Sequence, residues 1–321
     1  MPHSLYNQHQ TIPVGKARAF SPSHIHVPLP DGHRFPMDKY SMLASHLKRA
    51  GWQIDNSPFA SYDDLARVHH PEYLQAVATQ TLDAKAVRKL GFPLSYELYE
   101  RSLASVGGTL AALYDALFGP YKLGINLAGG THHAYADHGE GFCVFNDIAI
   151  AARHALEHGL AQHILVIDVD VHQGNGTAKL FEDDARVTTF SMHGARNYPF
   201  HKEASDVDVG LTDGTEDSEF LELLGQHLPT LLVNDVDLVF FQAGVDVLSG
   251  DRFGRMNLTP TGVVQRDSYI LRSCRNIPVV YMMGGGYHKT ISTTVNAHAA
   301  SLKALYSLRQ VSGLSTTNTS L

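Results

Sequence analysis

The sequence predicts an α/β domain built on a central, mostly parallel β-sheet flanked by helices. Three observations carry that expectation. Short apolar runs recur along the chain, several of them lack polar alternation, and helix-patterned stretches separate them. Ile164 to Ile167 and Leu238 to Phe241 are apolar at every position, as strands covered on both faces should be. Such strands alternating with helices form parallel sheets joined by crossovers.

The elements follow in order. "KLGINLAGG" reads as a strand ending near Ala128, and "FNDIAIAARHALEHG" as a helix starting near Asn146 and stopped by Gly159. "HILVIDVDVH" is a strand from His163 to His172, and "RVTTFSMHG" another from Arg186 to Gly194. "DSEFLELLGQHLPTLL" carries apolar residues at helical spacing. Two more strands run from Asp237 to Asp246 and from Ile277 to Tyr287. With 321 residues and 44% hydrophobic content, the chain can bury a large core. No Pro/Ser-rich or single-sign charged stretch divides it. One three-layer domain over residues 1–308 is therefore expected, with residues 1–20 a peripheral N-terminal segment and 309–321 a polar, flexible tail.

Composition excludes several classes. A net charge of −7 argues against nucleic-acid binding, which calls for a basic surface. Cys143 and Cys274 are too few for a disulfide scaffold or a thiolate zinc site, and fit a reducing, cytoplasmic interior. The N-terminus lacks the apolar core of a signal peptide, and no run of about 18 apolar residues could span a membrane.

Ligands in parallel sheets sit beyond the carboxyl ends of the strands. There this sequence places His132 and His133, then Asp168, Asp170 and His172, then Asp246, then Tyr287. Asp168, Asp170 and His172 are spaced by two, so an extended chain would present all three on one side. Asp-Val-Asp also occurs at 206–208 and 235–237, but only the copy at 168–170 closes an apolar strand and reaches a histidine. Asp170, His172 and Asp246 together would neutralise a divalent cation and leave a position for water, as in catalytic zinc sites. The set would also accept Fe²⁺, Mn²⁺ or Co²⁺. Asp168 reads better as the carboxylate that orients a histidine.

The ordered motifs "GGTHHA", "GEGFCVFND", "DVDVHQGNGT", "FSMHG", "AGVDVLSGDRFG" and "GGGYH" resemble the zinc-dependent histone deacetylase superfamily. Its class IV-like branch and related bacterial members are the nearest in pattern. The resemblance runs from "HRFPMDKY" at 33–40 to the glycine-tyrosine loop, and implies the arginase/deacetylase fold. It implies Asp170, His172 and Asp246 as zinc ligands, with His132 and His133 as the paired active-site histidines. Tyr287 would polarise the scissile carbonyl. Gly141, Phe142, Tyr198, Gly285 and Gly286 would line the acyl-lysine channel, with Arg34 at its inner end. A structural K⁺ near Asp168, Ser191 and Met192 is also implied. One departure concerns the partner of His133. Some members have Asp in His-x-Gly-Asp-Gly, whereas this chain has Asn175 in "HQGNG". A neutral amide orients His133 without stabilising its cation, so His133 should be the more easily neutral of the pair.

The expected activity is therefore hydrolysis of an acetyl or longer acyl group from lysine side chains, in a protein or peptide. An acetylated polyamine or other small acylated amine is the alternative substrate. A two-metal ureohydrolase of the same fold is disfavoured because Gly174 stands where its further aspartate would be. The glycine-rich stretches lack the spacing of nucleotide loops. A non-catalytic acyl-lysine binder should lack a ligand, the base or the tyrosine, and all are present.

Overall fold

Each apolar run picked out in the sequence becomes a strand in the computed structural model, which describes residues 16–232, 235–274 and 276–314. The strands are β1 (Arg18–Ser21), β2 (Gln53–Asn56), β3 (Leu123–Asn126), β4 (Ile164–Asp168), β5 (Val187–Gly194), β6 (Val207–Leu211), β7 (Leu238–Gln242) and β8 (Val279–Met282). The helices are α1 (Asp38–Arg49), α2 (Tyr62–Ala66), α3 (Pro71–Ala78), α4 (Ala84–Leu90), α5 (Tyr96–Phe118), α6 (Asp147–Glu157), α7 (Asn175–Phe181), α8 (Asp217–Leu231), α9 (Pro260–Ser273) and α10 (Ile291–Leu314). They flank one sheet of order β2-β1-β3-β8-β7-β4-β5-β6, in which every pairing is parallel. The sheet expected to be mostly parallel is thus wholly so among the described residues.

The four central strands, β3, β8, β7 and β4, are buried at every position, which explains their unbroken apolar runs. Strands β3 and β4 follow one another in sequence yet lie three places apart. The chain therefore switches direction across β8 and β7, and a crevice opens beyond those strand ends. The outer strands escaped the pattern for a physical reason. β2 and β6 are half-exposed edge strands, and polar "QIDN" carries no strand signature.

Two boundaries differ from expectation. Arg18–Ser21, which begins within the segment read as peripheral, forms β1 inside the sheet, where Arg18 donates to Asp55 at 2.7 Å. Likewise α10 runs on to Leu314. Buried Arg309 donates to the carbonyls of Cys274 and Ile277 at 3.1 and 2.9 Å, docking what was read as tail. The remainder of those two expectations, residues 1–15 and 315–321, lies outside the described residues.

Candidate active site

Asp168 ends β4, but Asp170 and His172 lie in the bend beyond it and not in extended chain as the spacing implied. The backbone curls onto its own carboxylates. Asp168 Oδ1 accepts from the Asp170 amide at 3.1 Å, and Asp170 Oδ1 from the His172 amide at 3.0 Å. This brings Asp170 and His172 to Asp246, which stands beyond β7. One potential ligand atom from each lies within 4.8 Å of the others, and all three residues are buried. His172 Nδ1 is 3.0 Å from Asp170 Oδ1 and 3.2 Å from Asp246 Oδ2.

The trio fits a divalent ion on the structure's own terms. Asp246 Oδ2 is buried and has no well-formed hydrogen bond, only His172 Nδ1 at 3.2 Å, an expensive state for a carboxylate oxygen unless a cation engages it. Space is kept beside it. A Cβ added at Gly285 would come within 2.0 Å of Asp246 Oδ2 and 2.6 Å of Asp170 Oδ2. The remaining lone pairs are anchored from behind: Gly285 N donates to Asp170 Oδ2 at 2.8 Å, and Val171 N to Asp246 Oδ1 at 3.0 Å.

The histidine pair follows β3 through a bend at Gly129 and Gly130, with φ of 73° and 72°. Asp147 at the start of α6 cages that bend, accepting from the amides of Gly130 and Thr131 at 3.1 and 2.8 Å. Positive φ lets adjacent residues face the same place, which an extended chain forbids. The two rings lie 4.1 Å apart between centroids, and that of His133 is 5.9 Å from His172. Their partners differ as expected. His132 Nδ1 donates to Asp168 Oδ2 at 2.6 Å, and His133 Nδ1 to Asn175 Oδ1 at 2.6 Å. Burial disfavours charge on both. At His132 the Asp168 carboxylate outweighs burial and raises the proton affinity above the histidine norm. At His133 burial wins, helped by the neighbouring His132 and His172 charges, and its pKa falls well below the norm.

Tyr287 closes the site from beyond β8, its ring 6.4 Å from that of His172. Burial first, and then the Asp246 and Asp170 charges, push its phenol well above the usual value, so it stays protonated. Gly141, Phe142, Tyr198, His133, His172 and Tyr287 all line one open cleft of about 510 Å³. Gly141 lies against the His133 ring, and Tyr198 stands edge-on to it at 5.0 Å. Arg34 does not reach the inner end. It is exposed at the mouth, its guanidinium 5.2 Å over the Phe253 ring. A different cation, Lys39, is fully buried behind the tyrosine loop and donates to the carbonyls of Gly284 and Gly286 at 3.3 and 3.4 Å. Arg34 precedes α1, whereas Lys39 sits in its first turn and points inward. Asp168 and Ser191 pair in register across β4 and β5, with Met192 buried next in line.

The family model described as the histone deacetylase domain matches residues 33–302. The chain belongs to the histone deacetylase family. It is 42% identical over 293 residues to an uncharacterized protein of Picosynechococcus sp., covering 89% of this chain and 97% of that one. Histone deacetylase 2 of Arabidopsis thaliana is 32% identical over 279 residues, covering 82% and 72%. Polyamine deacetylase HDAC10 of Rattus norvegicus is 34% identical over 229 residues, covering 63% and 38%. Among solved structures, the HDA15 HD domain superposes with a TM-score of 0.75 at 25% identity, covering 94% and 93%. The arginase/deacetylase architecture is thus the fold of this chain.

In this histone deacetylase family member, four residues beside the site carried no sequence signal strong enough to find them. Lys39 is one. Asp251 accepts from the Tyr287 amide at 2.6 Å and so sets the tyrosine loop. Phe253 packs 4.9 Å from the Tyr287 ring. Glu140 accepts from Asn175 Nδ2 at 2.7 Å and pairs with Lys89 at 2.6 Å. Burial works against its charge, yet hydrogen bonds from His138, Lys89, Asn175 and Tyr198 hold its carboxyl far below the usual range. The amide of Asn175 is thereby locked. Turned over, it would set its oxygen against the Glu140 carboxylate. "GEGFC" could have been read for this acid, but only the fold shows that it backs Asn175.

Proposed function

We propose that this protein is a metal-dependent hydrolase that removes an acyl group from the side-chain amide of lysine. The convergence of Asp170, His172 and Asp246 beside His133 and Tyr287 carries the reading. These three residues would hold one divalent ion, with zinc the best match to two carboxylates and an imidazole. Such an ion supplies Lewis acidity, making water a better nucleophile and an amide carbonyl a better electrophile.

The chain's own groups then move protons. His133 donates from Nδ1 to Asn175, which leaves Nε2 as the acceptor for a water proton. Its depressed pKa keeps it neutral for that task. The same nitrogen returns the proton to the departing lysine amine, and such acid-base help is worth about 10²–10⁴-fold. His132, whose proton affinity Asp168 raises against the cost of burial, would add positive potential where the carbonyl oxygen becomes negative. Tyr287 donates its O–H to that oxygen, a contribution of roughly 3–4 kcal/mol for one donor. Gly141, Phe142 and Tyr198 make the channel for the lysine stem.

A small cavity of about 40 Å³ lies beyond Phe142, lined by Phe35, Phe92, Arg101 and Gly129. It has room for a few water-sized groups and shares only Phe142 with the larger cleft, so the acyl-chain series below decides which chain length is accepted. Asp168 and Ser191, in register across β4 and β5, support a K⁺ site with Met192, read out as K⁺-dependent thermal stability. Two free, buried cysteines support a cytoplasmic setting. No described helix is long and apolar enough to cross a membrane.

Metal analysis with turnover on lysine peptides bearing acetyl to myristoyl groups, and on acetylpolyamines, tests the reading. About one divalent ion per chain, with activity lost to chelation and restored by zinc, is the expected result. A metal-loaded protein that hydrolyses none of these substrates would overturn it.

A further inference from the structure

The cleft that leads to the site is lined at its mouth by Arg34, Arg88, Lys89, Arg196, Arg252 and Arg255, and by no aspartate or glutamate. All six are exposed. That is unexpected in a chain with 32 acidic and 25 basic residues. The acids nearby do not cancel it. Asp213 is shared between Arg196 and Arg255 at 3.5 and 3.3 Å, and Glu140 serves Lys89. Arg34, Arg88 and Arg252 have no carboxylate partner among the described residues. The cations come from separate places, ahead of α1, at the end of α4, after β5 and after β7, so the fold gathers them around one opening.

Resting on the deacylase reading above, we propose that this mouth selects acyl-lysine in an acidic sequence context. The preferred substrate is a peptide segment with aspartate or glutamate flanking the modified lysine, and acetylated polyamines are disfavoured. Concave surfaces lined by one sign of charge concentrate ligands of the opposite sign and repel their own. A polyamine keeps cationic amines outside the channel when its acylated end is inserted, so those amines meet the arginines. An acidic peptide sets carboxylates there, within reach of guanidinium forks suited to them. The opening also favours a peptide over a nucleic acid. Phe142, Tyr198 and Phe253 line it with aromatic surface suited to an alkyl stem, and exposed Phe200 adds an apolar rim.

The test compares kcat/KM for matched acetyl-lysine peptides flanked by Glu, Gln or Lys, and for an acetylated polyamine, across salt concentrations. The acidic peptide should exceed the basic one by about tenfold at low salt. The gap should shrink to less than about twofold at ~1 M salt, where the screening length is ~3 Å. The Arg88→Glu, Arg252→Glu double variant, altered at exposed positions only, should reverse the order. Equal rates, a preference for the basic peptide or polyamine, or a salt-independent ratio would each overturn the proposal. So would an oligonucleotide that competes more strongly than the acidic peptide. Binding of the same fluorescent peptides to the Tyr287→Phe variant, read by anisotropy, separates the two layers. Selective acidic binding with no turnover by the unaltered protein would sink the deacylase reading and leave the mouth standing.

Discussion

The floor and the mouth of one cleft are charged in opposite ways and held by opposite means. At the floor, Asp168, Asp170 and Asp246 are buried, and backbone amides or a histidine fix their oxygens at 2.6 to 3.1 Å. At the mouth, arginines stand in solvent on long side chains, and their few ion pairs are loose. Buried charges act strongly over short distances, whereas exposed ones are screened and carry little energy singly. The floor should therefore fail on the loss of one atom, and the mouth only by degrees.

Asp246→Asn should have the largest effect. It removes one of two carboxylates from the trio, so metal content should fall with activity, by about 10³-fold or more. An Asn variant that retained both would show that the trio is not the metal site. Tyr287→Phe comes next. Metal content should be kept while kcat drops by about 10²–10³-fold, and near-normal turnover would remove the phenol from the mechanism.

Asn175→Asp tests the border between the two regions. A carboxylate at 175 would stabilise the His133 cation, raising its pKa. A base with a higher pKa is protonated over more of the acid range, so the acid limb of the pH–rate profile should move upward. Glu140 complicates the single change, because its Oε1 lies 2.7 Å from Asn175 Nδ2 and would then oppose another anion. The single variant should lose about tenfold in kcat. The Asn175→Asp, Glu140→Gln pair should recover most of that and show the cleaner pH shift. An unmoved acid limb in the pair would count against His133 as the base. Arg34→Ala should be the mildest, about twofold in KM with kcat unchanged, as befits a cation at the mouth. A loss in kcat would return Arg34 to the floor.

Most of the floor was legible in the sequence because its chemistry sits beyond buried strands. An apolar run ending in Asp-Val-Asp-Val-His has few structural excuses, and Gly-Gly before His-His anticipates the bend seen at 129–130. Strand ends were overrun because the residues beyond β4 and β7 remain apolar at alternate positions while the backbone turns onto its own carboxylates. The supports were not legible. Lys39 and Arg34 stand five residues apart on either side of the start of α1, and only that boundary decides which points inward. Glu140 matters through Asn175, a neighbour 35 residues away. The basic mouth was hidden by a negative net charge, since composition averages over a surface that the fold sorts.

The Lys39 contact has a consequence for the newly made chain. Its ammonium holds carbonyls 245 and 247 residues further on, in the loop that carries Tyr287. Contacts so distant in sequence are slow to form, because the intervening chain must first be brought together. A polypeptide still emerging from the ribosome would carry His132, His133, Asp170 and His172 long before it carried the tyrosine or the loop that Lys39 steadies. Such a chain would present two of the three metal-trio residues early, yet the trio would be completed only with Asp246 and hydrolytic competence gained only once Tyr287 had emerged.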